Sequence, residues 1–87
     1  MRYYIIINRT PEKELQRMDK KIALKIMDTI KLLSEHPFPS SSKKLVNFRG
    51  WEYYRIRIWD FRVVYEVRNE TVTITIIEIW HRWSVYK

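Results

Sequence analysis

The sequence predicts an α+β fold with an N-terminal strand, a helical hairpin and then an antiparallel three-stranded meander, the helices packing on one face of the sheet. Three observations predict it. Apolar residues recur at steps of three and four between residues 15 and 33, three β-rich runs follow residue 52, and 46% of the 87 residues are hydrophobic. That length supports one core, so we expect a single domain over residues 1–87.

The first half of the chain contains the predicted first strand and the helices. Tyr3 to Asn8 is rich in aromatic and β-branched residues, which favour a strand. A helix is predicted to begin near residue 10, because Thr10 can cap free amides and Pro11 fits the first helical position. Asp19 could cap a second helix, so the pattern predicts a helical hairpin or one bent helix. The apolar stripe consists of Leu15, Met18, Ile22, Ile26, Ile30 and Leu33.

The second half of the chain is predicted to form strands. Pro37 ends the helical pattern, because proline forces the residue before it out of helical geometry, and Ser40 to Lys44 is predicted as a polar loop. Strands are predicted over Tyr53–Ile58, Phe61–Arg68 and Thr71–Trp80, where apolar and polar residues nearly alternate. The short breaks between them favour an antiparallel meander.

Two-residue turns at both breaks would place arginines side by side. In that register Arg57 lies opposite Arg62 and Glu66 lies opposite Thr73. The helices are expected to cover the apolar face, and strand alternation predicts His81 on the other, open face. The open face is predicted to carry Arg55, Arg57, Arg62, Val64, Glu66, Thr73 and Thr75, and the core face Tyr54, Ile56, Ile58, Phe61, Val63, Tyr65, Val67, Val72, Ile74 and Ile76.

The paired arginines are hard to explain by stability alone. Like charges directly opposite each other on a sheet destabilise it by up to about 1 kcal/mol. Two guanidinium groups at this separation suit a phosphate, which accepts paired, charge-assisted hydrogen bonds. Alternatively, Glu66, Asp60 or a C-terminal acid neutralises the arginines in a solvated network. The sequence leaves both interpretations open.

The charge balance favours an anionic partner such as a nucleic acid. The formal net charge is +7, from 17 Lys and Arg against 10 Asp and Glu. Several of these cations lie off the apolar stripe of the helices, where they are candidate nucleic-acid contacts or an ordinary solvated face. They are Lys13, Arg17, Lys20, Lys21 and Lys25.

The residue types exclude several kinds of site. The chain has no cysteine, so disulfides and thiolate metal sites are excluded and a reducing cytoplasm is the natural expectation. His36 and His81 are far apart in the sequence, and there is no Ser/His/Asp set or phosphate loop, so we expect no metal and no cofactor. The apolar run before Asn8 is too short for a signal peptide or a membrane span.

Three stretches stand in an order and spacing typical of one protein superfamily. They are YRIRI at Tyr54–Ile58, DFRVVYEV at Asp60–Val67, and His81-Arg82 followed by Val85-Tyr86. With these motifs the chain resembles the RelE/ParE superfamily of toxins, and more closely its RelE branch. The preceding strand, helical hairpin and proline-containing linker agree, so the resemblance covers essentially the whole chain and implies a RelE-like, microbial ribonuclease-type fold.

The resemblance also implies a function and partners. RelE-like toxins of type II toxin–antitoxin systems cut mRNA in the ribosomal A site and so inhibit translation. A cognate RelB-like antitoxin wraps and blocks them. The expected partners are therefore mRNA, the ribosome with its rRNA, and an antitoxin in a hetero-oligomer, with no membrane involved. Matching residue by residue assigns functional positions to Arg55, Arg57, Arg62, Arg82 and Tyr86, with His81 adjacent.

The expected cleavage needs no metal, because the 2′-OH of the RNA attacks the neighbouring phosphate. Arg57, Arg62 and Arg82 are expected to hold the phosphate and stabilise its developing charge, but as permanent cations they transfer protons poorly. Other members carry strand lysines that are candidates for proton transfer, whereas this chain has arginine at both positions. Tyr86 is therefore expected as base or orienter, and His81 as acid.

Other functions stay open. A ParE-type toxin would bind and inhibit DNA gyrase without nuclease activity, although His81, Arg82 and Tyr86 argue against it. A catalytically silent member that only binds an antitoxin is suggested by the missing strand lysines. A plain structural domain is the third alternative. Trp59 stands where many relatives have glycine, which leaves the geometry of that turn open.

Overall fold

Two helices and a five-stranded sheet make up the structure, which confirms the predicted α+β class. The computed structural model describes residues 2–45 and 52–81. The elements are β1 (Tyr4–Ile7), α1 (Arg9–Arg17), α2 (Lys20–Glu35), β2 (Ser42–Leu45), β3 (Tyr53–Ile58), β4 (Phe61–Arg68) and β5 (Thr73–His81). The strand order is β1-β5-β4-β3-β2, with β1 and β5 parallel and the other neighbours antiparallel.

The helices form the predicted hairpin rather than one bent helix. Met18 and Asp19 separate them, and Asp19 is the N-cap residue of α2, although its carboxylate makes no capping hydrogen bond. The second helix ends at Glu35, directly before His36 and Pro37, as proline geometry predicts. In the described part of the chain, neither helix is long and apolar enough to cross a membrane.

The start of α1 differs from the prediction. Asn8 is the N-cap residue, and Thr10 lies inside the first turn, so the capping role predicted for Thr10 is wrong. The amide of Glu12 donates to the backbone carbonyl of Asn8 at 3.0 Å. The first backbone hydrogen bond of the helix therefore ends on the carbonyl of Asn8. The N-cap of the helix lies two residues before Thr10, so the Thr10 hydroxyl does not cap it.

The strand β2 is an element that the sequence analysis missed. The predicted polar loop at Ser40 to Lys44 is wrong in its second half, because Ser42–Leu45 pairs antiparallel with β3. This strand lies at the edge of the sheet and has the polar sequence SKKL. Backbone pairing rather than apolar alternation holds it there, so hydrophobic periodicity cannot detect it.

The turn between β3 and β4 is the predicted one. Ile58 lies opposite Phe61, which leaves the two residues Trp59 and Asp60 in the turn and places Arg57 directly opposite Arg62. Trp59 adopts a φ of 54°, in the region that glycine occupies without steric cost. The predicted two-residue turn therefore forms even though tryptophan, rather than glycine, occupies this position.

The turn between β4 and β5 is longer than predicted. It occupies residues 69–72 instead of two residues, so Glu66 lies opposite Thr75 and not Thr73. A shift of two residues leaves the side chains of residues 73–76 on their predicted faces, because strand side chains alternate with a period of two. In this part of β5 the predicted open face is therefore correct even though the predicted register is wrong.

A bulge changes the last part of β5. Tyr65 pairs with Ile76 while Val64 pairs with Glu78, so Ile77 is an extra residue that reverses the alternation beyond it. His81 consequently lies opposite Phe61, on the helix-facing side. The prediction of His81 on the open face is wrong for this reason.

The core lies between the helices and one face of the sheet. Ile26, Ile30 and Leu33 of α2 are at most 1% exposed, and burial of each such side chain stabilises the fold by about 1.5–3 kcal/mol. The sheet contributes Ile56, Ile58, Phe61, Val63, Tyr65, Val67, Ile74, Ile76 and Ile79. The predicted core face is confirmed except for Val72, which lies in the β4–β5 turn and is half-buried.

Candidate functional site

The open face of the sheet carries three arginines at adjacent positions. Arg55 and Arg57 are two residues apart on β3, and Arg62 is the direct neighbour of Arg57 on β4. We call these three residues the arginine cluster. Ile56 and Ile58 are buried in the core, so alternation along β3 directs the arginines to the opposite side. Arg57 is exposed, and Arg55 and Arg62 are half-buried.

Among the described residues, no carboxylate pairs with the arginine cluster. Glu66, which is 8% exposed, accepts a hydrogen bond from Nε of Arg68 at 2.9 Å and is therefore engaged with that cation. Glu78 lies on the same face, opposite Val64. Across residues 2–45 and 52–81, no carboxylate forms an ion pair with a member of the cluster. The charge of the cluster is thus available to an external anion.

A polar depression of about 240 Å³ adjoins the arginine cluster. Ser41, Lys43, Arg55 and Arg57 line it. Lys43 lies directly opposite Arg55, so β2 adds one more cation beside the arginine cluster. Lys43 is not among the predicted site residues, because the sequence predicts a loop for this segment and the face that Lys43 occupies depends on the pairing with β3.

The neighbouring Lys44 shows the contrasting arrangement. It pairs with Tyr54 on the helix-facing side, and its Nζ donates to the carboxylate of Glu52 at 3.0 Å. That hydrogen bond raises the pKa of Lys44. Two consecutive lysines therefore differ in environment: one has a carboxylate partner, and the other lies among cations.

Of the other predicted site residues, His81 lies at the end of β5. The ring of His81 packs edge-on against Phe61, with centroids 4.9 Å apart. Trp80 is 43% exposed and occupies the open-face position opposite Arg62, a placement that the sequence did not predict. Arg82 and Tyr86 lie outside the described residues, so their predicted places in the site stay predictions.

The predicted cations of the helices are exposed but distant from this face. The exposed side chains are Lys13, Arg17, Lys20, Lys21 and Lys25. They belong to the helices that cover the core side of the sheet, whereas the arginine cluster lies on the opposite side. The structure therefore brings Arg55, Arg57 and Arg62 together but does not add the helix cations to that group.

A second opening lies on the helix side of the molecule. It has a volume of about 420 Å³, between α2, the proline-containing linker and β3. Its mostly apolar lining includes Leu32 and Phe38, which are 62% and 48% exposed. Large apolar side chains gathered at an open cavity are typical of a surface that binds a partner.

The open face has the chemistry of an anion-binding site. Guanidinium groups stay protonated and donate in a planar fork that fits phosphate oxygens. The described residues include no group of three His, Asp or Glu side chains placed to hold a metal ion. The described part of the site can therefore bind a phosphate and stabilise negative charge that develops on it.

Comparison with known proteins shows the family of the chain and its fold. The family model for the ParE toxin of the type II toxin–antitoxin system parDE matches residues 5–86. A chain of the archaeal RelE–RelB complex from Pyrococcus horikoshii is 27% identical with a TM-score of 0.83, over 94% of this chain and 97% of that chain. No curated protein sequence matches.

Two further solved structures are similar. A chain of the RelB–RelE antitoxin–toxin complex from Methanococcus jannaschii is 25% identical with a TM-score of 0.72, over 93% of this chain and 94% of that chain. A chain of the toxin–antitoxin complex RelBE2 from Mycobacterium tuberculosis is 20% identical with a TM-score of 0.81, over 94% of this chain and 100% of that chain, a likeness of fold. The chain therefore belongs to the ParE toxin family of type II toxin–antitoxin systems, in the RelE/ParE superfamily, with the RelE-like fold.

Proposed function

We propose that this toxin is a ribosome-dependent endoribonuclease that cleaves mRNA in the ribosomal A site and so inhibits translation. The observation that supports this most directly is the arginine cluster, which has no carboxylate partner among the described residues. An RNA phosphate would neutralise its charge and accept its hydrogen bonds. The RelE-like fold and the RelE-type motifs support the same reaction.

The reaction proceeds by attack of the RNA on itself. The 2′-oxygen of one nucleotide forms a bond to the adjacent phosphorus, the bond from phosphorus to the 5′-oxygen of the next nucleotide breaks, and a 2′,3′-cyclic phosphate remains. Negative charge builds on the phosphoryl oxygens in the transition state. Arg57 and Arg62 bind those oxygens from neighbouring strands, and Arg82 contributes a third guanidinium.

Two protons move in this reaction. Tyr86 accepts or orients the proton of the 2′-OH, as the match of Val85-Tyr86 to the RelE-type motif suggests. The sequence also suggests His81 as the acid, but its ring lies against Phe61 on the side of the sheet opposite to Arg62. We therefore assign His81 a positioning role at the end of β5, and the leaving 5′-oxygen takes its proton from solvent.

The test is mRNA cleavage on translating ribosomes with purified protein. Arg62→Ala and Arg82→Ala should abolish cleavage while circular dichroism shows a folded protein. Lys44→Gln is the matched control, because Lys44 is a cation on the helix-facing side, and it should cleave like the parent. If both folded arginine variants cleave mRNA as fast as the parent, the proposed site is wrong.

The family match favours one second candidate, inhibition of DNA gyrase by direct binding. A supercoiling assay separates the two functions. Loss of gyrase activity in the presence of the toxin, without any mRNA cleavage on ribosomes, would replace the nuclease proposal. Absence of both effects and of growth arrest would indicate a catalytically silent member that only binds its antitoxin.

Two macromolecular partners follow from the proposal. The exposed helix cations Lys13, Arg17, Lys20, Lys21 and Lys25 would contact ribosomal RNA, through phosphates and therefore with strong salt dependence. A RelB-like antitoxin would bind the toxin in a hetero-oligomer, as the similar RelE–RelB complexes suggest. Both interactions would take place in the cytoplasm.

A further inference from the structure

Two cross-strand rows of side chains run across the open face of the sheet. The first consists of Trp80 on β5, Arg62 on β4 and Arg57 on β3. It ends at the polar depression, which Arg57 lines together with Ser41. The second row includes Arg55 on β3 and its direct neighbour Lys43 on β2. The face therefore carries two pairs of cations, one after the other, and an aromatic ring at the β5 end.

The pair Lys43 and Arg55 repels itself electrostatically, as the pair Arg57 and Arg62 does. Lys43 and Arg55 are like charges directly opposite each other, an arrangement that destabilises a sheet by up to about 1 kcal/mol. Within the described ranges 2–45 and 52–81, neither of them forms an ion pair. On the opposite side of the same strand, Lys44 has a carboxylate partner. Of the two consecutive lysines of β2, the one on the open face therefore keeps its charge unneutralised among the described residues.

The spacing of the two pairs fits successive phosphates of one strand. Arg55 and Arg57 are two positions apart, or about 6.6 Å along β3, and the pairs are offset by one strand spacing of about 4.8 Å. The centres of the two pairs are then about 8 Å apart. Long Lys and Arg side chains can adjust this distance to the phosphate spacing of an extended single-stranded RNA.

We propose that Lys43, with Arg55 and Ser41, forms a second phosphate subsite, and that the RNA crosses the sheet from Trp80 to this edge. The inference rests on the nuclease function proposed above and extends its site onto β2. The pair Arg57 and Arg62 holds the scissile phosphate, and the depression beside it holds the adjacent one. At the other end, the exposed indole of Trp80 offers a face on which a base of any identity can stack.

The experiment measures RNA binding rather than cleavage. The probe is a short single-stranded RNA with a 2′-O-methyl group at every position, which cannot be cleaved because it lacks the attacking hydroxyl. Fluorescence anisotropy gives the affinity of the free toxin at several salt concentrations, starting at low salt. The variants are Lys43→Gln and Lys44→Gln, which remove the same charge from consecutive residues on opposite faces of β2.

Loss of one phosphate contact has a defined signature. Lys43→Gln should weaken binding at low salt and reduce the slope of log affinity against log salt by about 0.7, while Lys44→Gln keeps the slope of the parent. When the salt concentration rises fourfold, the fold-loss of affinity is then about 2.6 times smaller for Lys43→Gln than for the parent. Equal effects of the two variants, or no binding by the parent at low salt, would overturn the subsite.

The outcomes also separate this inference from the others. If ribosomal mRNA is not cleaved but Lys43→Gln still reduces the salt slope, the nuclease proposal fails and the subsite stands. If mRNA is cleaved and Lys43→Gln binds the probe like the parent, the subsite fails alone. If Lys43→Gln weakens binding of the antitoxin but not of the probe, the depression binds carboxylates of a protein and the RNA assignment is overturned.

Discussion

At the scale of single residues, the environment decides which charged groups are available for function. Arg62 and Arg68 lie on the same strand and the same face, yet Arg68 is bound to the nearly buried carboxylate of Glu66 and Arg62 has no such partner among the described residues. The pKa of Arg68 is raised by this hydrogen bond, which marks it as a structural cation. Arginines that lack this neutralisation are the ones placed to meet a substrate anion.

Tyr65 is the residue whose ionisation should be visible in the stability of the fold. It is fully buried, and its hydroxyl donates to the backbone carbonyl of Pro37 at 2.8 Å, which fastens the linker to the sheet. Burial raises the pKa of Tyr65 above the ordinary value of about 10. The folded protein therefore holds this proton more tightly than the unfolded chain does.

The sign of the pH effect follows directly. Below about pH 10 the contribution of Tyr65 is fully present, and it is lost as the pH rises through the raised pKa of the folded state. We expect Tyr65→Phe to lower the free energy of unfolding by about 1 kcal/mol at pH 7 and to lose less stability than the parent above pH 10. Urea unfolding at pH 7 to 11 measures both. An unchanged alkaline slope in Tyr65→Phe would contradict the role of this hydroxyl.

At the scale of secondary-structure elements, local patterns predicted some strands fully and others only in part. The bounds of β3 and β4 agree with the sequence analysis to the residue, because near alternation and a two-residue break determine them. The arginine cluster was found for the same reason. His81 was placed on the wrong face because the bulge at Ile77 adds one residue that no composition signal marks.

The polar edge strand was the other failure, and it affected the site. Nothing in Ser42–Leu45 distinguishes a strand from a loop, since an edge strand with one open side tolerates polar residues on both faces. Lys43 could therefore not be assigned to the same surface as Arg55 until the pairing was known. The strained turn residue Trp59, by contrast, was recognised from the sequence as unusual.

The β3–β4 turn allows a direct test of that strain. Trp59 is a non-glycine residue with a φ of 54°, and its side chain is 56% exposed, so little packing is lost on its removal. The left-handed conformation costs a non-glycine residue about 1–2 kcal/mol, and glycine introduces an entropic cost of about 0.5–1 kcal/mol. Trp59→Gly should therefore stabilise the protein by about 0.5–1 kcal/mol.

Urea unfolding of three proteins isolates the backbone contribution. Trp59→Ala removes the indole but keeps Cβ, so it should retain the strain and show no gain over the parent. If Trp59→Ala and Trp59→Gly have the same free energy of unfolding, the side chain rather than the backbone conformation determines the effect. An unfolding free energy for Trp59→Gly below that of the parent would show that the indole stabilises the turn.

At the scale of the whole molecule, the two sides of the sheet present different chemistry. The open side carries the exposed Trp80 and cations that form no ion pair within residues 2–45 and 52–81, which suits a nucleic acid. The helix side carries the apolar opening at Leu32 and Phe38, which suits a protein. The two openings lie on opposite sides of the sheet and adjoin at Ser41, which lines both of them.

The last prediction concerns the surface that the antitoxin occupies. We expect apolar side chains of a RelB-like antitoxin to enter the opening beside α2, because relatives of this fold occur in RelE–RelB complexes and this opening combines exposed apolar side chains with a volume of about 420 Å³. Leu32→Ser should weaken antitoxin binding about tenfold, a loss of about 1.4 kcal/mol that is typical of an apolar interface contact. Isothermal titration calorimetry measures it with the toxin carrying Arg62→Ala, so that the cells survive expression.

Leu24 provides the matched control for this experiment. It lies on the same helix and is 57% exposed, close to the 62% of Leu32, but it does not line the opening. Leu24→Ser should bind the antitoxin like the parent, and neither substitution should change the free energy of unfolding by more than about 0.5 kcal/mol. Equal losses in the two variants would indicate a general effect of polarity on the helix surface, and no loss in Leu32→Ser would place the antitoxin on another part of the toxin.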